Sequence, residues 1–361
     1  MKKKPVFVFV THYLKGGGAE RAIAVLASGL AEIGYETHIF VHYRLEDEYP
    51  VNSLVEVHYD RLYVENNRSI WERLDKLNRL RKYVKECRAT YVIPFLDICT
   101  VHAYLATRFL NIKFISTIRV NPVTRTGKYA RLSDFIVNYS TALYAQTSEE
   151  KAYYSRKVQN KTFVLPNPVN KKALGVDHTY TDNFLNIVAA GRLCEQKNYQ
   201  MLINAIEWLR DNYEIKVNVF IYGEGELRND LTHEINKRNL EKNIYLMGYT
   251  SNIIEAYNKS DIYVMTSNYE GMPNALMEAM AVGLPCISTD CPSGPSELIK
   301  DGENGLLVKV DDYITLAEKI KYYIDNPDKA RRIGVAAKRT IADSYTPERI
   351  ARRFLEECEK Y

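Results

Sequence analysis

Apolar runs and helical periodicities alternate along the whole chain, a pattern typical of parallel α/β architecture. In the first half, strands are predicted at Val6–Val10, Thr37–Val41, Tyr91–Phe95, Phe114–Thr117, Leu143–Gln146 and Thr162–Leu165, with helices at Glu20–Ile33, Ile70–Glu86 and Ser148–Lys157. In the second half, strands are predicted at Leu185–Ala190, Lys216–Ile221, Ile244–Leu246, Ile262–Thr266, Pro285–Ser288 and Gly305–Val308.

The alternation stops once, from Pro166 onward, where two prolines and a polar stretch predict a linker. We therefore predict an N-terminal doubly wound domain over 1–168, a linker over 169–183 and a second doubly wound domain over 184–345. A last helix, over 346–361, starts at Pro347 and is expected to return to the first domain. Ligands of such sheets bind at the carboxyl ends of strands, so we expect the domains to face one cleft.

Composition narrows the class of protein. The chain has 361 residues, enough for two domains, and is 46% hydrophobic and 26% charged, as in an ordinary globular protein. No apolar stretch is long enough for a transmembrane helix, and the N-terminus lacks the features of a signal peptide, so a cytoplasmic protein is expected. The six cysteines form no C-x-x-C pair, which favours reduced, structural thiols.

Charge is distributed unevenly. Residues 1–180 carry a balance of +10 and the remainder −6, within a net charge of +4. A basic first half predicts an anionic partner there, and a diphosphate-bearing acceptor or anionic lipid fits better than nucleic acid, for which no motif is present. The helix Ile70–Glu86 is amphipathic and basic; it is either an ordinary solvated face or a surface for the inner face of the plasma membrane.

The segment Ser267–Glu278 places two carboxylates, Glu270 and Glu278, on either side of Gly271 and Pro273. The helix that begins near Pro273 is apolar all round except for Glu278, about two turns in, so this carboxylate is expected to be buried. A helix mouth offers N–H groups to an anion. The pair is therefore a ligand site, an acid–base couple, or a core helix with a paired glutamate.

Other polar residues follow predicted strands. Arg192 and Lys197 come after the strand that ends at Ala190, where a guanidinium and an ammonium are either a clamp for a diphosphate or a solvated pair at a helix start. Glycines follow two further strands, at Gly16–Gly18 and at Gly223 and Gly225, which are either ligand-facing backbone or tight turns.

Residues 184–305 resemble the nucleotide-sugar domain of retaining family-4 glycosyltransferases of the GT-B fold. The likeness lies in five segments: 191–198 (Gly-Arg-Leu-Cys-Glu-Gln-Lys-Asn), 222–225 (Tyr-Gly-Glu-Gly), 248–249 (Gly-Tyr), the Glu270 and Glu278 pair, and 293–297 (Ser-Gly-Pro-Ser-Glu). Residues 16–21 (Gly-Gly-Gly-Ala-Glu-Arg) are similar to the family's first glycine loop.

The resemblance implies roles for named residues. Arg192 and Lys197 would stabilise the leaving diphosphate, and Glu270 would hold the transferred sugar. Donor contacts would come from further residues of both domains: Gly17, Gly18, Gly223, Gly225, Met247, Gly248, Tyr249, Gly271, Met272, Pro273, Asn274 and Glu278. Many relatives have a histidine where this chain has Arg119, which we expect to contact an anionic acceptor or the diphosphate. His102 is a weaker candidate, since a histidine on an apolar helical face is more often part of the core.

The sequence therefore predicts a retaining transfer of a hexose or N-acetylhexosamine from a UDP-sugar to a glycan, on a polyprenyl diphosphate of the bacterial envelope. No cofactor or metal is expected, because no Asp-x-Asp motif is present. Three alternatives remain: a sugar-nucleotide epimerase, a synthase with a soluble acceptor, and a sugar-nucleotide-binding partner without activity.

Overall fold

The computed structural model describes residues 4–62, 70–119, 122–123, 125–181 and 185–361, with only the backbone of Leu62, Ile70 and Arg73. Residues 182–184 at the predicted domain boundary, residues 120–121 after Arg119, and the Arg73 side chain lie outside this description. The chain forms two compact units, unit 1 with residues 1–168 and 347–361, and unit 2 with residues 169–346.

Unit 1 is built on parallel strands joined by helices. Its elements are β1 (Phe7–Thr11), α1 (Gly18–Glu32), β2 (Thr37–Arg44), β3 (Glu56–Leu62), α2 (Ile70–Glu86), β4 (Tyr91–Pro94), α3 (Asp97–Thr107), β5 (Lys113–Thr117), α4 (Lys128–Val137), β6 (Ala142–Ala145), α5 (Ser148–Ala152), α6 (Arg156–Gln159) and β7 (Thr162–Val164). The strand order is β3-β2-β1-β4-β5-β6-β7, so the winding reverses between β1 and β4.

Unit 2 repeats this architecture with six strands. Its elements are α7 (Lys171–Leu174), β8 (Asn186–Ala190), a 3-10 turn (Glu195–Lys197), α8 (Tyr199–Tyr213), β9 (Asn218–Tyr222), α9 (Arg228–Lys237), β10 (Ile244–Gly248), α10 (Ile253–Asn258), β11 (Ile262–Met265), α11 (Asn274–Val282), β12 (Cys286–Thr289), α12 (Pro295–Leu298), β13 (Leu306–Val308), α13 (Tyr313–Asp325) and α14 (Pro327–Ser344). The order is β10-β9-β8-β11-β12-β13, with the reversal between β8 and β11.

The last helix, α15 (Pro347–Glu359), belongs to unit 1. It packs against α1 so closely that a Cβ at Gly29 would lie 2.7 Å from the carbonyl oxygen of Pro347. Phe354 is fully buried against the rings of Phe9 and Tyr144. The two doubly wound sheets and the return of the last helix to unit 1 are as predicted.

Four details differ from prediction. Strand β3 was not predicted, because its sequence, Glu-Val-His-Tyr-Asp-Arg-Leu, contains no continuous apolar run. The predicted helix Ser148–Lys157 is two short helices, α5 and α6. The predicted linker contains α7, which Asn170 caps by accepting a hydrogen bond from the Lys172 N–H. Glu278 is only the fifth residue of α11, a little over one turn in.

Among the described helices, none is both long and apolar enough to cross a bilayer.

Candidate functional site

The carboxyl edge of the unit 2 sheet carries an ion pair at the point where the strand order reverses. Lys197 follows β8 and Glu270 follows β11, and these two strands are neighbours in the sheet. The Lys197 Nζ lies 2.5 Å from Glu270 Oε1, with side chains 18% and 8% exposed. This crevice is where open α/β sheets bind ligands. The structure thus brings together two of the three residues predicted to be catalytic.

Backbone and hydroxyl contacts fix both members of the pair. The Ser267 hydroxyl donates to the same Glu270 Oε1 at 2.6 Å, and the Glu270 N–H donates to the Pro292 carbonyl at 3.2 Å. The Lys197 carbonyl accepts from the Thr266 hydroxyl at 2.9 Å. The carboxylate is therefore held by an ammonium and a hydroxyl, which stabilise it in a largely buried position.

Arg192, the third predicted catalytic residue, is exposed. Within the described part of the chain, its guanidinium has no acidic side chain at ion-pair distance. A cation without a counter-ion, close in sequence to Lys197, is available to an incoming anion.

Helix α11 begins at Asn274, directly after Pro273, and its residues from Leu276 to Val282 are all buried. Glu278 is 3% exposed, in accordance with the expectation of a buried carboxylate. Because α11 is wrapped by core residues, its N-terminal end is the part of the helix that is open to a ligand.

Two predicted glycines are required by packing of backbone on backbone. A Cβ at Gly223 would lie 1.9 Å from the Gly191 carbonyl oxygen, and one at Gly225 would lie 2.3 Å from that of Leu193. Gly223 also pairs with Gly248, which has a φ of +77°. The loops after β8, β9 and β10 are thus locked together. This contact accounts for the glycines without a ligand, so their role as donor contacts stays a prediction.

The other predicted donor residues lie on two loops, one at the end of β10 and one between β11 and α11. Met247 and Tyr249, on either side of Gly248, are 47% and 64% exposed. The Gly271–Pro273 turn lies against Gly294, where a Cβ would be 2.2 Å from the Gly271 carbonyl oxygen; Met272 is buried. The backbone just before α11 is therefore packed against the loop that contains Gly294.

The sequence did not single out three residues around the ion pair. Ser267 binds Glu270 directly, and its Ser-x-x-Glu spacing was the available signal. The pKa of the Tyr199 phenol is raised mainly by burial and to a smaller extent by the charge of Glu270. The Tyr199 hydroxyl donates a hydrogen bond to the Gly191 carbonyl at 3.2 Å. Burial, and then Glu270, raises the pKa of the Cys291 thiol to about 12, so this cysteine is a neutral neighbour of the pair.

In unit 1, the glycine loop after β1 is covered by its own glutamate. Gly17 caps α1, and a Cβ at Gly17 would lie 2.2 Å from Glu20 Oε2. Glu20 is buried, and burial raises its pKa, although its own backbone N–H acts in the opposite direction. The carboxylate occupies the space beside Gly17, so the predicted donor contacts of Gly17 and Gly18 stay predictions.

Arg119 is held between two aromatic rings. Its guanidinium carbon lies 3.8 Å from the Phe95 ring centroid and 4.0 Å from that of Tyr144, and Nη1 donates to Asn167 Oδ1 at 3.1 Å. The Nε and Nη2 atoms are buried without a hydrogen-bond partner among the described residues. The stacked guanidinium is held in one position, and its Nε and Nη2 atoms could donate hydrogen bonds to an anion or a carbonyl oxygen.

His102 lies on α3, with its ring 5.7 Å from that of His42, and is half-buried. It therefore belongs to a cluster of histidines at the carboxyl edge of the unit 1 sheet.

Among the described residues, no group of three or more His, Cys, Asp or Glu side chains is arranged to hold a metal ion.

Two family descriptions match this sequence. "Glycosyl transferases group 1" matches residues 177–340, and "Glycosyltransferase Family 4" matches residues 16–172.

The chain is similar to relatives over nearly its whole length. It is 30% identical over 342 residues to a Campylobacter jejuni protein, with 93% of each chain covered; that protein is named "GalNAc-alpha-(1->4)-GalNAc-alpha-(1->3)-diNAcBac-PP-undecaprenol alpha-1,4-N-acetyl-D-galactosaminyltransferase". It is 26% identical to the "Amylovoran biosynthesis glycosyltransferase AmsD" of Erwinia amylovora, with 97% of this chain and 98% of that protein covered.

Solved structures share the fold. The Anabaena protein HepE, in complex with UDP and glucose, has a TM-score of 0.80 at 16% identity, with 98% of this chain and 99% of HepE covered. The lipopolysaccharide outer core galactosyltransferase WaaB has a TM-score of 0.74 at 19% identity, with 98% and 99% covered. With two doubly wound units and relatives along its full length, this chain belongs to the family-4, group 1 glycosyltransferases and has the GT-B fold.

Proposed function

We propose that this glycosyltransferase moves a hexose or N-acetylhexosamine, with retention of anomeric configuration, from a UDP-sugar to a polyprenyl-diphosphate-linked glycan of the bacterial envelope. The observation that carries the proposal is the Lys197–Glu270 ion pair at the switch point of unit 2; the exposed Arg192 lies on the same segment after β8 as Lys197. Relatives whose names include an undecaprenol-linked acceptor support the acceptor class.

The reaction breaks the bond between the anomeric carbon and the donor diphosphate oxygen and forms a bond from that carbon to an acceptor hydroxyl oxygen. Arg192 and Lys197 stabilise the charge that develops on the leaving diphosphate, the electrostatic contribution that is often the largest in catalysis. The acceptor proton passes to the leaving phosphate oxygen. No metal takes part in this proposed mechanism.

The carboxylates position the donor. Glu270, already fixed by Ser267 and Lys197, accepts hydrogen bonds from sugar hydroxyls, and Glu278 accepts them from the ribose. The donor diphosphate lies at the N-terminal end of α11, among the N–H groups of Gly271 to Asn274. Met247, Gly248 and Tyr249 border the base.

In this proposal unit 1 takes the acceptor, at the inner face of the plasma membrane. Helix α2 supports this placement, because Lys82 and Lys85 are exposed on it and Trp71, at its start, is 80% exposed. Exposed cations and an exposed tryptophan on one helix favour an anionic lipid surface.

The test is release of nucleoside diphosphate by the full chain from a panel of UDP- and GDP-sugars. The acceptor is a synthetic polyprenyl-diphosphate-linked N-acetylhexosamine. We expect release of UDP only when acceptor is present, and NMR of the product should show the anomeric configuration of the donor. Conversion of a UDP-sugar without acceptor would identify an epimerase. A product with inverted configuration, or transfer only to free sugars, would overturn the proposal.

Arg192→Ala sharpens this test, with Arg210→Ala, a salt-bridged arginine of α8, as control. We expect Arg192→Ala to lose UDP release and Arg210→Ala to retain it. The Tm of Arg192→Ala should equal that of the wild type, because Arg192 is exposed and has no ion-pair partner among the described residues.

A further inference from the structure

A second polar cluster lies in unit 1, at the corresponding point of its own sheet. His12 directly follows β1, and Cys99 and His102 lie on α3, which follows β4. Since β1 and β4 are the neighbours between which the strand order reverses, this is the ligand-binding crevice of a doubly wound sheet. Residues of β2 and α2 complete the cluster.

The histidine rings touch edge to face. His42 stands between the other two, with ring centroids 5.9 Å from His12 and 5.7 Å from His102. His42 is fully buried, and its Nδ1 lies 4.0 Å from Asp60 Oδ2, which is too far for a hydrogen bond. His12 Nδ1 and both His42 nitrogens are buried without a hydrogen-bond partner among the described residues, a costly state that needs a reason.

A lysine without a counter-ion faces this cluster. The Lys76 ammonium of α2 lies 4.8 Å from the Tyr43 ring centroid, and no described carboxylate is within ion-pair distance. The nearby Asp60 is already bound by Arg79. Burial lowers the pKa of Lys76, and burial together with the Lys76 charge lowers the pKa of His12 to about 4. The crevice therefore holds an ammonium without an ion-pair partner among the described residues, and it holds His12 and His42, whose pKa values burial lowers to about 4.

We propose that Lys76 and His12 form an anion subsite in unit 1 that binds the diphosphate of the acceptor, with His42 as a positioning residue behind His12. The proposal rests on the proposed function for the identity of the ligand, whereas the binding of a diphosphate can be measured without any transfer. Lys76 would supply the point charge, and His12, once protonated, a charge-assisted hydrogen bond. A bound dianion would favour the protonated imidazole, so binding should take up a proton.

Titratable and charged groups from every packed element face His12 or its neighbours and set the proton uptake: Tyr13 beside β1, Glu20 of α1, His42 and Tyr43 of β2, Asp60 of β3, Glu72, Lys76 and Arg79 of α2, and Asp97, Cys99 and His102 of α3. Asp60 and Arg79 neutralise each other, and burial raises the pKa of Cys99 to about 12. His12 and Lys76 both contact the Tyr43 ring, so an anion bound beside them would favour the protonated form of His12.

The test is calorimetric titration of the full chain with inorganic pyrophosphate, in the presence of saturating UDP to fill the donor site of unit 2. Lys76→Gln is expected to weaken binding at least about tenfold, the usual effect of removing a charged hydrogen-bond partner, and Lys76→Arg to retain it. Lys157→Gln is the control, because Lys157 lies on α6 of the same unit and is exposed. Affinity should rise from pH 7 to pH 5.5 and titrations in buffers of different ionisation heat should show proton uptake, both lost in His12→Gln.

Farnesyl diphosphate and inorganic phosphate serve as separate probes that distinguish the source of the anion. Farnesyl diphosphate binding with the same dependence on Lys76 would assign the subsite to a lipid-linked diphosphate, whereas binding of inorganic phosphate alone would overturn that assignment. Equal pyrophosphate affinity in Lys76→Gln and Lys157→Gln, competition by UDP, or no binding would overturn the subsite itself. None of these results depends on whether sugar transfer occurs, so they are separate from the test of the proposed function.

Discussion

Lys197 and Glu270 come from loops after two different strands, yet Nζ and Oε1 lie 2.5 Å apart. The resemblance to the family gave them separate roles, one on the diphosphate and one on the sugar. The ion pair joins these roles, because the carboxylate that would hold the sugar also orients the ammonium that would meet the phosphate. Part of the lysine's charge is balanced before a ligand arrives, so Arg192 is the less compensated cation of the two.

Lys197→Ala and Glu270→Gln should each lower kcat/KM for transfer by at least about 100-fold, the typical loss when one preorganised electrostatic contact is removed. Because the two side chains act as a unit, the double variant should be little worse than either single variant. UDP release at several donor concentrations measures both effects.

Lys259→Ala is the control for these variants, since this lysine follows α10, is 73% exposed and pairs with the exposed Glu255. Circular dichroism should show that all variants remain folded. Near-wild-type turnover in Lys197→Ala or Glu270→Gln would refute the assignment of the site, and additive losses in the double variant would show that the pair does not act as a unit.

The sheets were predictable because parallel strands buried on both faces are continuous apolar runs. Strand β12, Cys286–Thr289, is buried at every position, and its predicted bounds differ by one residue at each end. Strand β3 was missed because it is an edge strand whose residues are mostly half-buried, so its sequence needs no continuous apolar run.

Only those residues of the site that stand in short sequence motifs could be predicted; contacts between distant residues could not. Arg192, Lys197, Glu270 and Glu278 stand out as charges beside apolar strands. The contact of Gly223 with Gly191 joins residues 32 positions apart, and no local pattern reveals it. The same holds for His12, His42 and Lys76, which meet only once β1, β2 and α2 have packed together.

Gly225→Ala should destabilise unit 2 by about 1–3 kcal/mol, the range found for overpacked sites, because the added Cβ would lie 2.3 Å from the Leu193 carbonyl oxygen. Urea unfolding measures the change. In a Trp71→Phe background, Trp208 is the only tryptophan, so its fluorescence follows unit 2 alone. Gly175→Ala is the control, since its Cβ would meet nothing nearer than 3.8 Å. Equal urea midpoints in the two variants would contradict the packing argument.

Arg119→Lys should raise the KM for the acceptor about tenfold or more and leave the KM for the donor unchanged. A lysine keeps the charge but loses both the stacking between Phe95 and Tyr144 and the two unused N–H donors. Initial rates at varied acceptor concentration check this, with the exposed Arg131, changed to lysine, as the control. A lower Tm with an unchanged KM for the acceptor would instead show that Arg119 stabilises the fold and does not bind the acceptor.

Unit 1 should lose stability in mild acid because of its buried histidines. Burial is the main cause that lowers the pKa of His42 from 6.5 to about 4, in spite of the neighbouring Asp60 carboxylate, and burial does the same for His12. Between these two pH values the unfolded chain binds more protons than the folded one. The free energy of unfolding therefore falls as pH falls from about 6.5 to about 4, by at most about 1.4 kcal/mol per pH unit for each histidine.

His42→Phe, an aromatic replacement beside Phe40, should therefore flatten the dependence of Tm on pH over this window. Scanning calorimetry at pH 7, 6, 5 and 4 gives the slopes, and His233→Phe, at an exposed position of unit 2, should leave them as in the wild type. Parallel slopes in the wild type and His42→Phe would show that His42 is not held neutral by the fold.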